Sequence, residues 1–136
     1  MPWAATAYTA PMGGRAAAAV GLWAFLLTGA LVWVPGYWYD EAVSVTLATT
    51  PWPDFVSVLG QADAVHGFYY LLLRPWLALA GTSPLAARLP SVLAVAATSV
   101  LLLRCGTDLF DRRAGVVAAV LFPALPAAMW MAGEAR

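Results

Sequence analysis

The chain has 136 residues, 62% of them hydrophobic and 10% charged, and its seven basic and seven acidic side chains cancel to zero net charge. A soluble domain carries about 45–50% apolar and about 25% charged residues, so this composition points to a membrane protein. Zero net charge offers no basic surface to nucleic acid, and the single Cys105 allows neither an internal disulfide nor a cysteine-based metal site. All seven basic residues are Arg; with the abundant Ala, this reads as genomic base composition rather than as function.

Residues 1–15 form a short cytoplasmic tail that ends in Arg15. Residues 16–34 (AAAAVGLWAFLLTGALVWV) are uncharged. As a helix they would extend about 28 Å, enough for a first membrane span. The run closes on Trp33, Pro35 and Tyr37 rather than on a small-x-small cleavage site, which favours an uncleaved anchor.

Beyond it, residues 35–84 make an outer loop too long to be a mere connection. Asp40 and Glu41 stand near its start, and charge close to hydrocarbon is expensive enough to mark a site. The pattern predicts a short helix over Tyr39–Thr49 that carries both acids and is stopped by Pro51-Trp52-Pro53. Asp54 is expected to N-cap a second, amphipathic turn (FVSVLGQA) with Phe55, Val58 and Leu59 on one face. Asp63 and His66 precede an apolar segment over residues 67–80, too short to span and interrupted by Arg74 and Pro75. It reads as an interfacial helix with Phe68, Tyr69, Tyr70 and Trp76 at headgroup level.

Two further spans are expected over residues 85–103 and 116–132, the last containing Pro123 and Pro126. Three spans put Arg15, Arg104, Arg112 and Arg113 on the cytoplasmic side. Asp40, Glu41, Asp54 and Asp63 then lie outside. A fourth span at 67–80 would move three of those arginines outside, against the positive-inside rule. Asp108 and Asp111 beside Arg112 and Arg113 then read as a solvated cytoplasmic turn.

The order of short motifs is more telling than any one of them. After the first span comes an aromatic-x-DE-A sequence, then a loop ending HGFYYLLLRPW, then GTSPLAARLPS leading into the second span. A short RRAG turn follows, and a last helix runs to GEAR. This set closely resembles the N-terminal part of GT-C membrane glycosyltransferases of the protein mannosyltransferase and aminoarabinose transferase type, and it covers residues 16–136. The resemblance implies an all-α membrane fold, with residues 16–136 as the N-terminal part of a GT-C transmembrane domain whose complete members have roughly ten or more helices. It also implies an integral plasma-membrane enzyme with its site facing outside, moving a sugar from a polyprenyl-phosphate donor to a hydroxyl of a lipid, glycan or protein acceptor, with inversion.

In that reading Asp40 is the base that takes the acceptor proton, and Glu41 orients the acceptor or holds the loop; the two could exchange roles. Arg136 pairs with the lipid phosphate and Glu134 fixes it, while His66 contacts donor or acceptor. Arg88 faces phosphate or snorkels to the headgroups. Paired carboxylates suit a divalent cation, which stays open, but two ligands are too few to argue one, and no cofactor is expected. The chain is shorter than the family's members, so the missing helices, or a partner subunit, would complete the site. The alternative is a non-catalytic membrane subunit or the product of a split gene. A small transporter is disfavoured because the spans carry few polar side chains: Thr28, Ser91, Thr98 and Ser99.

Overall fold

The computed structural model describes residues 13–30, 32, 36–61 and 66–135. Its regular structure is helical throughout the described residues: α1 (Gly14–Gly29), α2 (Tyr39–Thr49), α3 (Trp52–Gln61), α4 (Gly67–Ala80), α5 (Pro84–Leu109), α6 (Arg112–Leu121), a 3-10 turn (Phe122–Ala124) and α7 (Pro126–Ala132). The all-α expectation therefore holds. The expected Asp63 and Arg136 lie outside the described residues.

α5 is the axis of the molecule, and by length and composition it is long and apolar enough to cross a membrane. It runs past residue 103, where the sequence suggested an end, to Leu109. Ser83 starts it, with the hydroxyl accepting from the Ala86 N–H and Pro84 supplying a preset φ at the first position. The expected third span is not one straight helix. α6 with its 3-10 turn and α7 are inclined by 60° to one another. Leu125 is extended ahead of Pro126, as the residue before a proline prefers. α1 is apolar but only 16 residues long as described.

Packing sets the direction of each helix. Near the end of α5, Leu103 meets Ala17 and Val20 of α1 and Ala119 of α6. Nearer its start, Val92 and Val95 meet Val32, Phe25 and Ala132. α1 and the α6–α7 pair thus run antiparallel to α5, and Arg15, Arg112 and Arg113 begin their helices at the end where α5 finishes. At the opposite end, Ala48 of α2, Leu73 and Leu77 of α4, Ala87 of α5 and Ala135 form one buried cluster. α4 occupies the residues expected of the interfacial helix. Gly81, at φ +83°, ends it in a conformation that side chains rarely adopt.

One sequence expectation gives way to local geometry. α3 begins at Trp52, so Asp54 lies inside its first turn rather than at the cap, where its charge still complements the helix N-terminus. Phe55, Val58 and Leu59 do turn inward, with Phe55 fully buried. Arg74, which interrupts the apolar run of α4, is half-buried. Its guanidinium donates to the Thr50 carbonyl at 2.7 Å, closing the C-terminus of α2, and lies 5.4 and 5.5 Å from the rings of Trp52 and Phe55. One side chain thereby ties α2, α3 and α4 together through a helix end and two aromatic faces.

The α5–α6 crossing depends on two glycines. A Cβ on Gly115 would come within 2.5 Å of the Leu103 carbonyl oxygen and the Thr107 hydroxyl, and one on Gly106 within 2.6 Å of the Gly115 Cα. Backbone cannot yield as a side-chain tip can, so the helices would have to separate. Gly115→Ala should lower thermal stability in detergent by about 1–3 kcal/mol. Gly14→Ala, where nothing lies within 4 Å, should leave it unchanged or raise it slightly. Equal responses of the two variants would contradict the close crossing.

Candidate functional site

α2 starts by using its own third residue. Glu41 reaches back so that its Oε2 accepts the Trp38 backbone N–H at 3.1 Å, satisfying one of the amides a helix start leaves open. That places the carboxylate under the first turn of α2, facing α5. There Arg88 meets it as a fork, with Nε donating to Oε1 at 2.7 Å and Nη2 to Oε2 at 2.6 Å. Both side chains are 1% exposed. The Ala135 N–H adds a bond to Oε1 at 3.0 Å, so the carboxylate accepts four hydrogen bonds.

Arg88 is equally engaged. Beyond Glu41 it donates to the Val32 carbonyl at 2.7 Å and the Gly36 carbonyl at 2.9 Å. A buried ion is tolerable only when paired and hydrogen-bonded, and here both conditions are met by groups from four parts of the chain. The segment after α1, the start of α2, the first turns of α5 and the segment after α7 converge on this pair. The Glu134 carbonyl accepts the Ser91 hydroxyl at 2.7 Å, fixing the last segment to α5 a second time. Glu134 also brings a second negative charge within electrostatic reach of Arg88.

The two neighbouring acids therefore part company. Successive helix residues point about 100° apart, so with Glu41 turned into the protein its neighbour Asp40 faces out and is exposed. Asp40's carbonyl takes the Ser44 hydroxyl at 3.0 Å, an ordinary intrahelical contact. Glu41, considered for orienting an acceptor or for holding the loop, is buried with its carboxylate bonded to the start of α2, to α5 and to the segment after α7. Arg88 neither snorkels nor faces outward to a phosphate: its fork is turned inward on Glu41 and its remaining described bonds go to backbone carbonyls. Glu134 joins the cluster through its backbone and its charge, and Arg136 follows Ala135 directly in the chain. His66 is exposed at the residue before α4, its ring 6.2 Å from that of Tyr70. It belongs to a different helix start from the acids.

Several neighbours had no signal beyond their residue type. Tyr37 donates to the Thr82 carbonyl at 2.6 Å, bridging the segment before α2 to the one before α5. Its own ionisation is pushed up by burial first and then by the Glu41 charge, with Arg88 acting in the opposite direction. It stays a neutral hydrogen-bond donor at physiological pH. Trp38 and Trp130 meet above the clasp with ring centres 6.0 Å apart. Between α4 and α5 lies an apolar groove of about 480 Å³, bordered by Tyr69, Leu72, Trp76, Pro90, Ser91 and Ala94. The Tyr69 hydroxyl is buried beside Ser91 close enough to be influenced by it. It makes no hydrogen bond of good geometry there, since Ser91 donates to Glu134 instead. Among the described residues no three His, Cys, Asp or Glu side chains cluster as metal ligands.

Burial alone would raise the Glu41 carboxyl. The Arg88 hydrogen bonds, the Trp38 and Ala135 amides and the Arg88 charge together outweigh it and hold the group below its ordinary 4.5. A depressed carboxylate contributes stability that is present above the unfolded pKa and is lost as pH falls through the folded one. Wild-type stability should therefore decline as pH drops below about 4.5, the range in which an unfolded carboxyl already binds its proton. Arg88→Met should reverse the sign, because an uncompensated buried Glu41 gains by protonation. That variant should lose about 3–5 kcal/mol at neutral pH and recover part of it on mild acidification. Unfolding midpoints measured from pH 7 to pH 4 distinguish the two slopes, and parallel slopes would refute the assignment.

Comparison with protein-family models, with characterised proteins and with solved structures finds no match to this chain.

Proposed function

We propose that this chain forms the outer mouth of a GT-C-type membrane glycosyltransferase, in which Asp40 deprotonates an acceptor hydroxyl as a sugar leaves its polyprenyl phosphate. The observation that carries the reading is the division of labour in the acid pair. Glu41 is neutralised by Arg88 and has no capacity left for proton transfer, whereas Asp40 is exposed on a helix whose start that same ion pair immobilises. A general base needs reach and a fixed position, and Asp40 has both.

Three further features support it. The Ala135 N–H bond to Glu41 holds the backbone of residue 135 beside the start of α2, and Arg136 is the next residue in the sequence. A guanidinium suits the phosphate that departs as an anion. The apolar groove between α4 and α5 opens beside Ser91, which is bonded to Glu134, and its lining suits an isoprenoid chain. α5 supplies one membrane-length helix, and the bent α6–α7 pair a second when counted as one span. So few helices cannot enclose a lipid phosphate, so further membrane helices of the same protein or of a partner complete the cavity. Inversion follows if Asp40 and the phosphate partner act on opposite faces of the sugar.

The test is transfer from a panel of labelled polyprenyl-phosphate sugars, in membranes that contain the whole gene product and any partner. Asp40→Asn preserves size and most hydrogen bonding but removes the base. Turnover should fall by about 10²–10⁴-fold while donor binding persists. Arg136→Lys keeps the charge but loses the fork, and should weaken donor use without altering acceptor use. Near-normal turnover of a folded Asp40→Asn enzyme would remove Asp40 from the chemistry. Absence of transfer from every donor by the wild type would remove the activity itself.

A further inference from the structure

The other end of α5 carries a second charged feature, remote from the Glu41–Arg88 pair. Arg112 and Arg113 open α6, and with Val116 and Val117 one turn further on they line a groove of about 470 Å³. All four residues are exposed. Neither guanidinium has an ion pair or hydrogen bond within the described residues. Asp111 is occupied as the cap of α6, accepting the Ala114 N–H at 2.8 Å, and Asp108 lies exposed on α5 without pairing to either arginine. Because Asp111 takes the helix start, an anion here would be held by the two side chains rather than by backbone amides.

The surroundings say what kind of anion fits. Leu109 and Phe110, in the turn just before, are 75% and 78% exposed, and Leu121 is exposed further along α6. A small soluble anion would neutralise the arginines and leave this apolar surface in water. A zwitterionic lipid would cover the apolar surface and leave the charge unmatched. An anionic amphiphile satisfies both, with phosphate oxygens on the guanidinium forks and hydrocarbon along the valines.

We propose that Arg112, Arg113, Val116 and Val117 form a site for an anionic phospholipid, with the headgroup on the arginines and an acyl chain on the valines. It rests on α5 lying in a membrane and not on glycosyl transfer. The full-length protein in a neutral detergent is titrated with short-chain phosphatidylglycerol, with phosphatidylcholine of the same chains, and with inorganic phosphate. Thermal stabilisation and bound lipid by native mass spectrometry are the readouts. Phosphatidylglycerol should act saturably at a concentration at least tenfold below phosphatidylcholine, with no effect of phosphate in that range. Arg112→Gln/Arg113→Gln should abolish the preference, and Arg112→Lys/Arg113→Lys should keep part of it. Should the glutamine variant fold poorly, Val116→Ser/Val117→Ser weakens both lipids without erasing the charge preference. Equal action of the two lipids, or phosphate matching phosphatidylglycerol, would overturn the proposal. So would a preference that survives the glutamine changes. Release of the wild type from cell membranes by alkaline washing is scored separately and bears on the membrane reading alone.

Discussion

The buried Glu41–Arg88 ion pair is the constraint on which the rest of this structure depends. Removing two charges from water costs several kcal/mol per ion, and the cost is offset only while every partner stays in place. The partners are drawn from segments far apart in sequence: backbone carbonyls just after α1, amides at the start of α2 and after α7, and the guanidinium of α5. None of these segments can shift without leaving a charge or a peptide group unsatisfied. The pair thus acts as a clasp that closes one end of a bundle whose other contacts are mostly alanine, valine and leucine. Such contacts fix proximity but tolerate sliding, whereas a bidentate fork fixes register. Arg74 does a smaller version of the same work, joining the end of α2 to α3 and α4.

The clasp also explains why two adjacent acids are useful. One carboxylate, that of Glu41, is consumed in holding the helix, and its partner on the preceding residue is thereby presented at a defined angle. An exposed acid on a free loop would lose orientation; on α2 it is fixed by a neighbour that cannot move. The two ends of α5 have opposite characters. One gathers the acids, Arg88 and the segment after α7 around a closed polar network. The other displays Arg112 and Arg113, without an ion pair among the described residues, beside exposed leucine, phenylalanine and valine.

Much of the helix layout was legible in the sequence, for local reasons. Tyr39–Thr49 and Gly67–Ala80 are bounded by proline and glycine signals, and the structure ends these helices where those signals stand. The break at Leu125 was less legible, because two prolines in an apolar run are compatible with either a kink or a continuous membrane helix. The contact of Glu41 with Arg88 was not legible at all: 47 residues separate them, and no periodicity links a helix start to a side chain on another helix. Arg88 read alone had two surface roles and took an internal one. Asp54 missed the cap position because Trp52 and Pro53 were accepted into the helix as its first residues. The Gly106–Gly115 contact likewise left no pattern beyond two small residues nine positions apart.

The central claim is that Glu41 and Arg88 act as one unit, and a double-mutant cycle measures this directly. Unfolding free energies of the wild type, Glu41→Leu, Arg88→Met and the double variant are determined in the same detergent at neutral pH. Each single change leaves a buried charge or buried peptide groups without a partner and should cost about 3–5 kcal/mol. The double variant removes both charges, so it should be no less stable than the worse single variant, with a coupling of about 3–5 kcal/mol. Losses that simply add, with coupling within about 0.5 kcal/mol of zero, would mean that the two residues act independently and that the clasp does not hold the site.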